Sequence, residues 1–492
     1  MINYSRNIVV ILCMATITLL ASCKGKEESK LSFPIEAAFV DDWGESTTLK
    51  FTYSNAESVK ISMTTGGWSA DVDKASRTLT ITAPASASTS GASKAGSVSV
   101  AALSKSGDAT TVYISTYIVD KTVDLSANGE QANCYIATEP NVKYRFNASV
   151  LGNTSESIPT SKVAVMWMDE RDLIEYLYLD NEGYANFFVD YAEDENGNKL
   201  TTAPKGNAIV AAYDAHNTIL WSWHIWLVGD TDPRGDDRLS NHATIMSYNL
   251  GALTNPNGST DHFTIWEGYG LYYQWGRKDP FPRPEYFDCA MNLDTTLFDA
   301  ADNYVYISVK ESNATTGTID YAVKHPMTIL SSSSSDSDGN WLYNNNRDDL
   351  WSNSGAKALY DPCPYGWRVP EKDTFKVLEI ATAEDEMPLE QAEKMFGWYL
   401  TDKGNGNRYF FTGSGYRSYF DGIISNINYR DEYPYTPKPW VGYYWTAGTD
   451  SATGTASAMF FELNTSRATI NAYKATTDQK RGNGMQIRCV KE

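Results

Sequence analysis

Val112-Tyr113-Ile114-Ser115-Thr116-Tyr117-Ile118 places Val112, Ile114, Thr116 and Ile118 on one side of an extended chain, with a different set of side chains between them. That period of two is the signature of a half-buried strand. It recurs upstream, where Val59, Ile61 and Met63 share one face, Leu79 and Ile81 another, and Val98 with Val100 a third. Asn55-Ala56-Glu57, Thr64-Thr65-Gly66-Gly67 and the Ser/Ala-rich stretch 85–96 separate these runs with turn and loop compositions. Strands that each bury one face are closed most simply by two sheets packed together, so residues 33–118 are expected to form a β-sandwich.

The same pattern continues through 119–228. Tyr144, Phe146, Ala148 and Val150 alternate, as do Val163, Val165 and Trp167; Phe187 with Val189, and Ala208, Val210 and Ala212, add further strands. Asn181-Glu182-Gly183 and Glu195-Asn196-Gly197-Asn198 suit hairpin turns because Asn and Gly tolerate positive φ. The run Ile219-Leu220-Trp221-Ser222-Trp223-His224-Ile225-Trp226 is apolar on both faces and is expected to be a buried strand connecting two domains. A second β-sandwich follows. In 229–492, Val369-Pro370-Glu371 followed by Phe375, Leu378 and Ile380-Ala381 predicts a proline-entered helix, and Pro388 through Ala392, Met395 and Phe396 a second one stopped at Gly397. Strands are expected at 409–411, 442–445, 458–461, 468–470 and 485–489. The fold class is therefore mainly β and multidomain.

Composition agrees. The 492 residues contain 13% aromatics, with 32 Tyr and 14 Trp, a balance that suits strands and turns better than long helices. Net charge is -20, from 61 acidic against 41 basic residues, so a polyanion would be repelled and no nucleic-acid partner is expected. Arg6, the apolar run Ile8–Leu20 and the sequence Leu20-Ala21-Ser22-Cys23 form an export signal over 1–22. Its ending resembles the bacterial lipoprotein box, which implies lipidation of Cys23, followed by a polar leader over 23–32. Lys24-Gly25-Lys26-Glu27-Glu28 is similar to the leader of lipoproteins displayed on the outer face of Bacteroidetes cells. An outer-membrane, lipid-anchored, surface-exposed protein is expected. Four further cysteines, at 134, 289, 363 and 489, allow three pairings; Cys363 with Cys489 is preferred, each lying beside an apolar stretch at opposite ends of one apparent domain.

Two family resemblances add to this. The pattern around Trp68–Pro84 and Thr111–Thr116 looks like the immunoglobulin-like modules near the N-termini of Bacteroides surface lipoproteins. Ala132-Asn133-Cys134-Tyr135-Ile136, Lys205-Gly206-Asn207-Ala208, the run 219–226, Asn249-Leu250-Gly251-Ala252 and Gly270-Leu271-Tyr272-Tyr273-Gln274-Trp275-Gly276-Arg277-Lys278-Asp279-Pro280 resemble another such family. Together with Asp361-Pro362-Cys363-Pro364-Tyr365-Gly366-Trp367-Arg368-Val369-Pro370, Tyr444-Trp445-Thr446 and Gly484–Val490, they are similar to the Fibrobacter succinogenes major paralogous domain. That resemblance implies an α+β C-type-lectin-like fold for 229–492 and leaves the activity open.

Recognition or adhesion is the expected function, with a host, dietary or bacterial glycan bound by aromatic and amide side chains. Trp341, Asn344 and Arg347 form one candidate cluster; Tyr435, Trp440, Tyr443 and Tyr444 form another, interspersed with prolines that lower the entropy cost of presenting rings. A structural alternative is a tip subunit of a surface fibre, or an accessory of an outer-membrane complex, with a fimbrial or outer-membrane protein as partner. Asp230, Asp232 and Asp236 crowd one turn and are candidate calcium ligands, although Arg234 interrupts them and no Glu closes an EF-hand loop. No other cofactor is expected. No nucleophile elbow, zincin motif or phosphate loop occurs, so no enzymatic activity is expected.

Overall fold

A computed structural model describes residues 28–284, 296–332, 339–380, 395–425, 440–464 and 469–492. The export signal, Cys23 and residues 388–394 of the second expected helix lie outside these. The architecture is mainly β and multidomain, with two short α-helices among the described residues, His262–Glu267 and Ile319–Lys324. Asp261 and Thr318 cap them, each side chain accepting the backbone N–H three residues on.

The first module packs a four-stranded sheet, in the order Ala37–Val40, Ala109–Ile118, Ala95–Leu103, Ser58–Thr64, against a three-stranded one of Ser46–Lys50, Thr78–Thr82 and Ser69–Asp73. Val98 stands opposite Ile114 and Val100 opposite Val112, so the alternation read from sequence becomes one shared inner face. Leu79, Ile81, Phe51 and Trp68 close the core from the other side. Each such fully buried side chain contributes about 1.5–3 kcal/mol. Gly96 is fixed by this packing, since a Cβ there would lie 2.6 Å from the Trp68 ring.

The strands between Lys121 and Val228 build a second pair of facing sheets. One sheet orders Lys121–Asp124, Val142–Asn147, Tyr184–Val189, Glu175–Leu179, and the other Cys134–Ala137, Ile219–Val228, Lys205–Tyr213, Lys162–Met168. Tyr144, Phe146 and Phe187 meet Val210, Trp223 and Ile225 between them. Gly183 and Gly197 adopt positive φ in the two expected turns. At the junction with the first module, Phe39, Tyr117, Tyr176 and Phe188 interlock, and the Tyr176 hydroxyl donates to Ser115 Oγ at 2.9 Å.

Packing is continuous across the expected boundary between 228 and 229. Cys134, Trp167, Ile209, Trp226 and Val228 leave the second sandwich on its far side and enter one core with Tyr273, Trp275, Trp341, Trp351, Trp445 and Ile487. Leu297–Phe298 and Tyr304–Val305 even extend the second sandwich's larger sheet. The Ile219–Val228 strand is therefore buried on both faces because both faces have a core to fill, as its unbroken apolar run demands.

Beside a three-stranded sheet of Trp440–Asp450, Thr455–Asn464 and Thr469–Lys480, the other described strands of 229–492 are two to six residues long, and indoles tie the segments together. Trp226 donates to the Ala252 carbonyl at 2.9 Å, Trp275 to Thr446 at 2.9 Å, Trp341 to Trp275 at 2.7 Å and Trp445 to Tyr273 at 2.7 Å. Buried irregular backbone thus finds donors that a regular ladder would otherwise supply. Cys363 and Cys489 are bonded, with Cα atoms 6.1 Å apart. One correction concerns the proline-entered helix. Residues Thr374–Val377 make a single 3-10 turn, and Leu378–Ile380 then form a strand against Gly397–Asp402. Phe375 and Leu378 still reach a core, so pairing with the neighbouring strand overrode the helical spacing. Of the second expected helix, Met395 and Phe396 are described; they precede the strand Gly397–Asp402, and Phe396 has a φ of 48°.

Candidate functional site

The two aromatic clusters expected to face outward divide sharply. Trp341 is 2% exposed, and its indole is committed to the Trp275 carbonyl, so it is a core residue and not a ligand platform. Tyr444 is also buried, donating to the Thr412 carbonyl at 2.8 Å, and burial holds its phenol pKa above the ordinary value. In both cases a backbone carbonyl of the core takes up the ring's polar edge. Tyr443 is half-buried between Tyr416 and Phe460, with ring centroids 5.2 and 5.0 Å away. Tyr435 lies outside the described residues, and Trp440 is described through its backbone, which pairs with Leu463.

Asn344 and Arg347 stay on the surface, beside exposed Tyr343. Asn344 takes a φ of 49°, which turns the chain out from buried Leu342. Arg347 is occupied by the Asp349 carboxylate, at 2.6 Å from both Nε and Nη2. The backbone carbonyl of Arg347 accepts from buried Arg481, which anchors the loop to the strand hairpin behind it.

The acidic turn does not form a calcium cage. Arg234 grips both oxygens of Asp232, with Nε 2.9 Å from Oδ1 and Nη2 2.7 Å from Oδ2. Among the described residues no three His, Cys, Asp or Glu side chains stand where they could hold a metal ion. An internal cation has taken the position that the sequence spacing offered to an external one.

Buried polar groups elsewhere are structural. His224 Nε2 lies 2.9 Å from Asn207 Oδ1, while the Asn207 amide donates to Asp169 Oδ2 and the Gly251 carbonyl. Because that amide nitrogen is used, Oδ1 is the acceptor and His224 carries its proton on Nε2; burial pushes its pKa down to about 3. Lys278 and Asp279 pair at 2.6 Å against Ser222, joining the third segment to the large sheet. Cys134 is a buried free thiol whose pKa burial pushes up, so it is an inert core residue.

Large rings that do reach solvent lie elsewhere. Tyr113, Phe263, Tyr304, Tyr306, Tyr343, Tyr365 and Phe420 are the exposed aromatics among the described residues, and all but Tyr113 belong to 229–492. Tyr304 and Tyr306 alternate with Val305 and Ile307, which are half-buried against the core. The sequence carried this signal: Tyr304-Val305-Tyr306-Ile307-Ser308-Val309-Lys310 alternates with period two, although it is flanked by residues that read as loop.

No protein-family model matches the chain, and no curated protein matches it. Among solved structures it is similar to the D00-D0 domain of intimin, at 10% identity over 40% of this chain and 96% of that one, with a TM-score of 0.14. It is also similar to SGBP-B of the Bacteroides ovatus mixed-linkage glucan utilization locus, solved with a mixed-linkage heptasaccharide, at 11% identity over 42% of this chain and 46% of that one, with a TM-score of 0.12. Drosophila N-cadherin EC1-4 matches at 11% identity over 41% of this chain and 50% of that one, with a TM-score of 0.15. These are distant likenesses to surface and adhesion proteins, and at such scores they carry no argument about mechanism.

Proposed function

We propose that the protein is a lipid-anchored recognition or adhesion protein of the outer membrane, exposed at the cell surface, whose C-terminal segment binds a glycan. The supporting observation is the placement of exposed rings. Among the described residues the two sandwiches leave one large ring exposed, Tyr113, whereas 229–492 sets Phe263, Tyr304, Tyr306, Tyr343, Tyr365 and Phe420 in solvent despite having a core that absorbs many Trp and Tyr. Flat apolar rings with polar edges suit the C–H faces of sugars. In this reading the segment is a member of the Fibrobacter succinogenes major paralogous family, with Cys23 as the lipid attachment point and the first sandwich as a spacer.

An assembly role in a surface fibre would call for a long, flat sheet edge in the first module. Its edge strand Ser58–Thr64 instead carries a bulge between Ile61 and Met63 and an exposed Lys60, two devices that oppose strand addition. The reading is tested on a glycan array with the exported chain carrying Cys23→Ser, which leaves it unlipidated. Hits that Trp440→Ala or replacement of an exposed Tyr removes support it. A blank array with folded protein refutes it.

A further inference from the structure

Where the first two modules meet, each presents aromatic rings on the outer face of a sheet. In the first, Phe39 and Tyr117 stand opposite each other on neighbouring strands, turned away from the core that Ala38, Val40, Ile114 and Ile118 fill. In the second, Phe188 points away from the core that Phe187 and Val189 enter. Phe188 is still 0% exposed, with Phe39 and Tyr117 covering it at ring-centroid distances of 5.3 and 4.5 Å. Burial of these rings therefore depends on contact between the modules.

The ladder sets a charged residue on either side of Phe188. Lys143 is its partner on one neighbouring strand and Glu175 on the other, so all three share the face that meets the first module. A bulge between Glu175 and Tyr178, with Tyr176 at a φ of 52°, breaks the alternation and lets Tyr176 face the same way. Asp41 of the first module acts on Lys143, as do Arg145 and Asp180, and burial holds the Lys143 pKa below its ordinary value. Glu175 is placed differently. Burial, then Asp190 and Asp172, push its pKa up to about 7, while Lys199 and the Tyr176 side chain act the other way. Lys199 is itself ion-paired with Asp190. Across the junction the Tyr117 phenol is raised by burial, then by Tyr176, Glu175 and Asp190, so the carboxyl group bears directly on the ring contact.

We propose that this junction is a pH-gated hinge: with Glu175 protonated the two modules dock through Phe39, Tyr117, Tyr176 and Phe188, and with Glu175 ionised they part. Ionisation seats a charge against the rings, where it loses hydration, and separation restores its water. The pivot is the chain between the modules, where the Asp120 N–H donates to the Asn141 carbonyl at 2.9 Å and the Asn141 amide donates to the Ile118 carbonyl at 3.2 Å. In the parted state the Glu175 pKa falls back toward 4.5, so docking is strongest below that pH and is lost as pH rises through about 7. Asp190 and Asp172 belong to the second module and act on Glu175 in both states, so the docked-to-parted ratio falls by less than about tenfold per pH unit across that range.

Small-angle X-ray scattering of the exported Cys23→Ser chain, at about pH 5 and about pH 8, tests the hinge on either side of the Glu175 transition. The largest dimension should grow at the higher pH and shrink again on reacidification. Glu175→Gln should keep the compact profile at both values, and Phe188→Ala should give the extended profile at both. Glu195→Gln, which alters an exposed turn carboxylate, should behave as the parent chain does. Asp190→Asn gives a second readout that does not depend on Glu175→Gln folding: removing that charge and freeing Lys199 should move the midpoint of the transition to lower pH. Identical parent profiles at both values overturn the proposal. So does a pH-dependent expansion that persists in Glu175→Gln, or a midpoint that Asp190→Asn leaves in place.

Discussion

Replacing Cys363 and Cys489 together by alanine should uncouple the C-terminal strand from the core. The bond closes a loop of 126 residues and joins two buried segments distant in sequence. Val490 pairs with Ile245 and Arg368 in strands two residues long, too short to be stable alone. Before Cys363, Asp361 accepts the Cys363 and Val369 amides at 2.9 Å and pairs with buried Lys357 at 3.0 Å. Constraint of the unfolded chain by a loop of that size is worth about 5 kcal/mol in the chain-entropy account. Against a typical total of about 5–15 kcal/mol this is a large share. Scanning calorimetry of the exported wild type and the double variant should resolve the loss as a drop on the order of 10 °C in the transition of the Trp-rich unit. The core of the first module shares no cluster with that unit, so its own transition serves as an internal reference. A shift of only about 1–2 °C would show that packing alone holds the terminus, and the reasoning would fail.

A buried histidine and a half-buried glutamate make opposite predictions on pH. His224 has its pKa pushed down from 6.5 to about 3, so the unfolded chain takes the proton first; stability present above pH 6.5 should be lost at about 1.4 kcal/mol per unit as pH falls toward 3, and His224→Gln should flatten that slope in denaturant titrations. Glu175, raised from 4.5 to about 7 by burial and then by Asp190 and Asp172, keeps its proton longer when folded; its contribution is present below pH 4.5 and lost as pH rises through 7. Glu175→Gln should accordingly stabilise by about 2 kcal/mol at pH 8, allowing for partial solvent screening, and change nothing at pH 4. Equal effects at both values would contradict the assignment.

Period-two alternation made the two sandwiches legible, because a strand with one wet face writes its register into the sequence. Val98, Val100, Ile114, Tyr144, Phe146 and Val210 all sit where that spacing put them. The 228/229 boundary was not legible in the same way. A strand that is apolar on both faces, such as Ile219–Val228, says that two layers cover it but not whether the second layer is another domain or the far half of its own. Helical spacing at Phe375, Leu378 and Ile380 failed for a related reason: two or three apolar residues fit a turn or a strand equally well, and the partner Gly397–Asp402, distant in sequence, decides between them.

Site residues were harder to find because ring content does not report ring exposure. Trp341 and Tyr444 lie among amides, prolines and polar residues that mimic a binding loop, yet their polar edges are consumed by the Trp275 and Thr412 carbonyls. Where backbone carbonyls lack a ladder partner, Trp and Tyr are drawn inward as donors as well as filling. Composition alone therefore overstates the surface role of aromatics in such a core. What discriminates is alternation: a ring flanked on both sides by aliphatic residues in extended chain, as Tyr306 is by Val305 and Ile307, must face away from whatever those neighbours pack against. By that criterion Tyr306 is picked out from sequence, whereas Tyr444, flanked by Tyr443 and Trp445, is not.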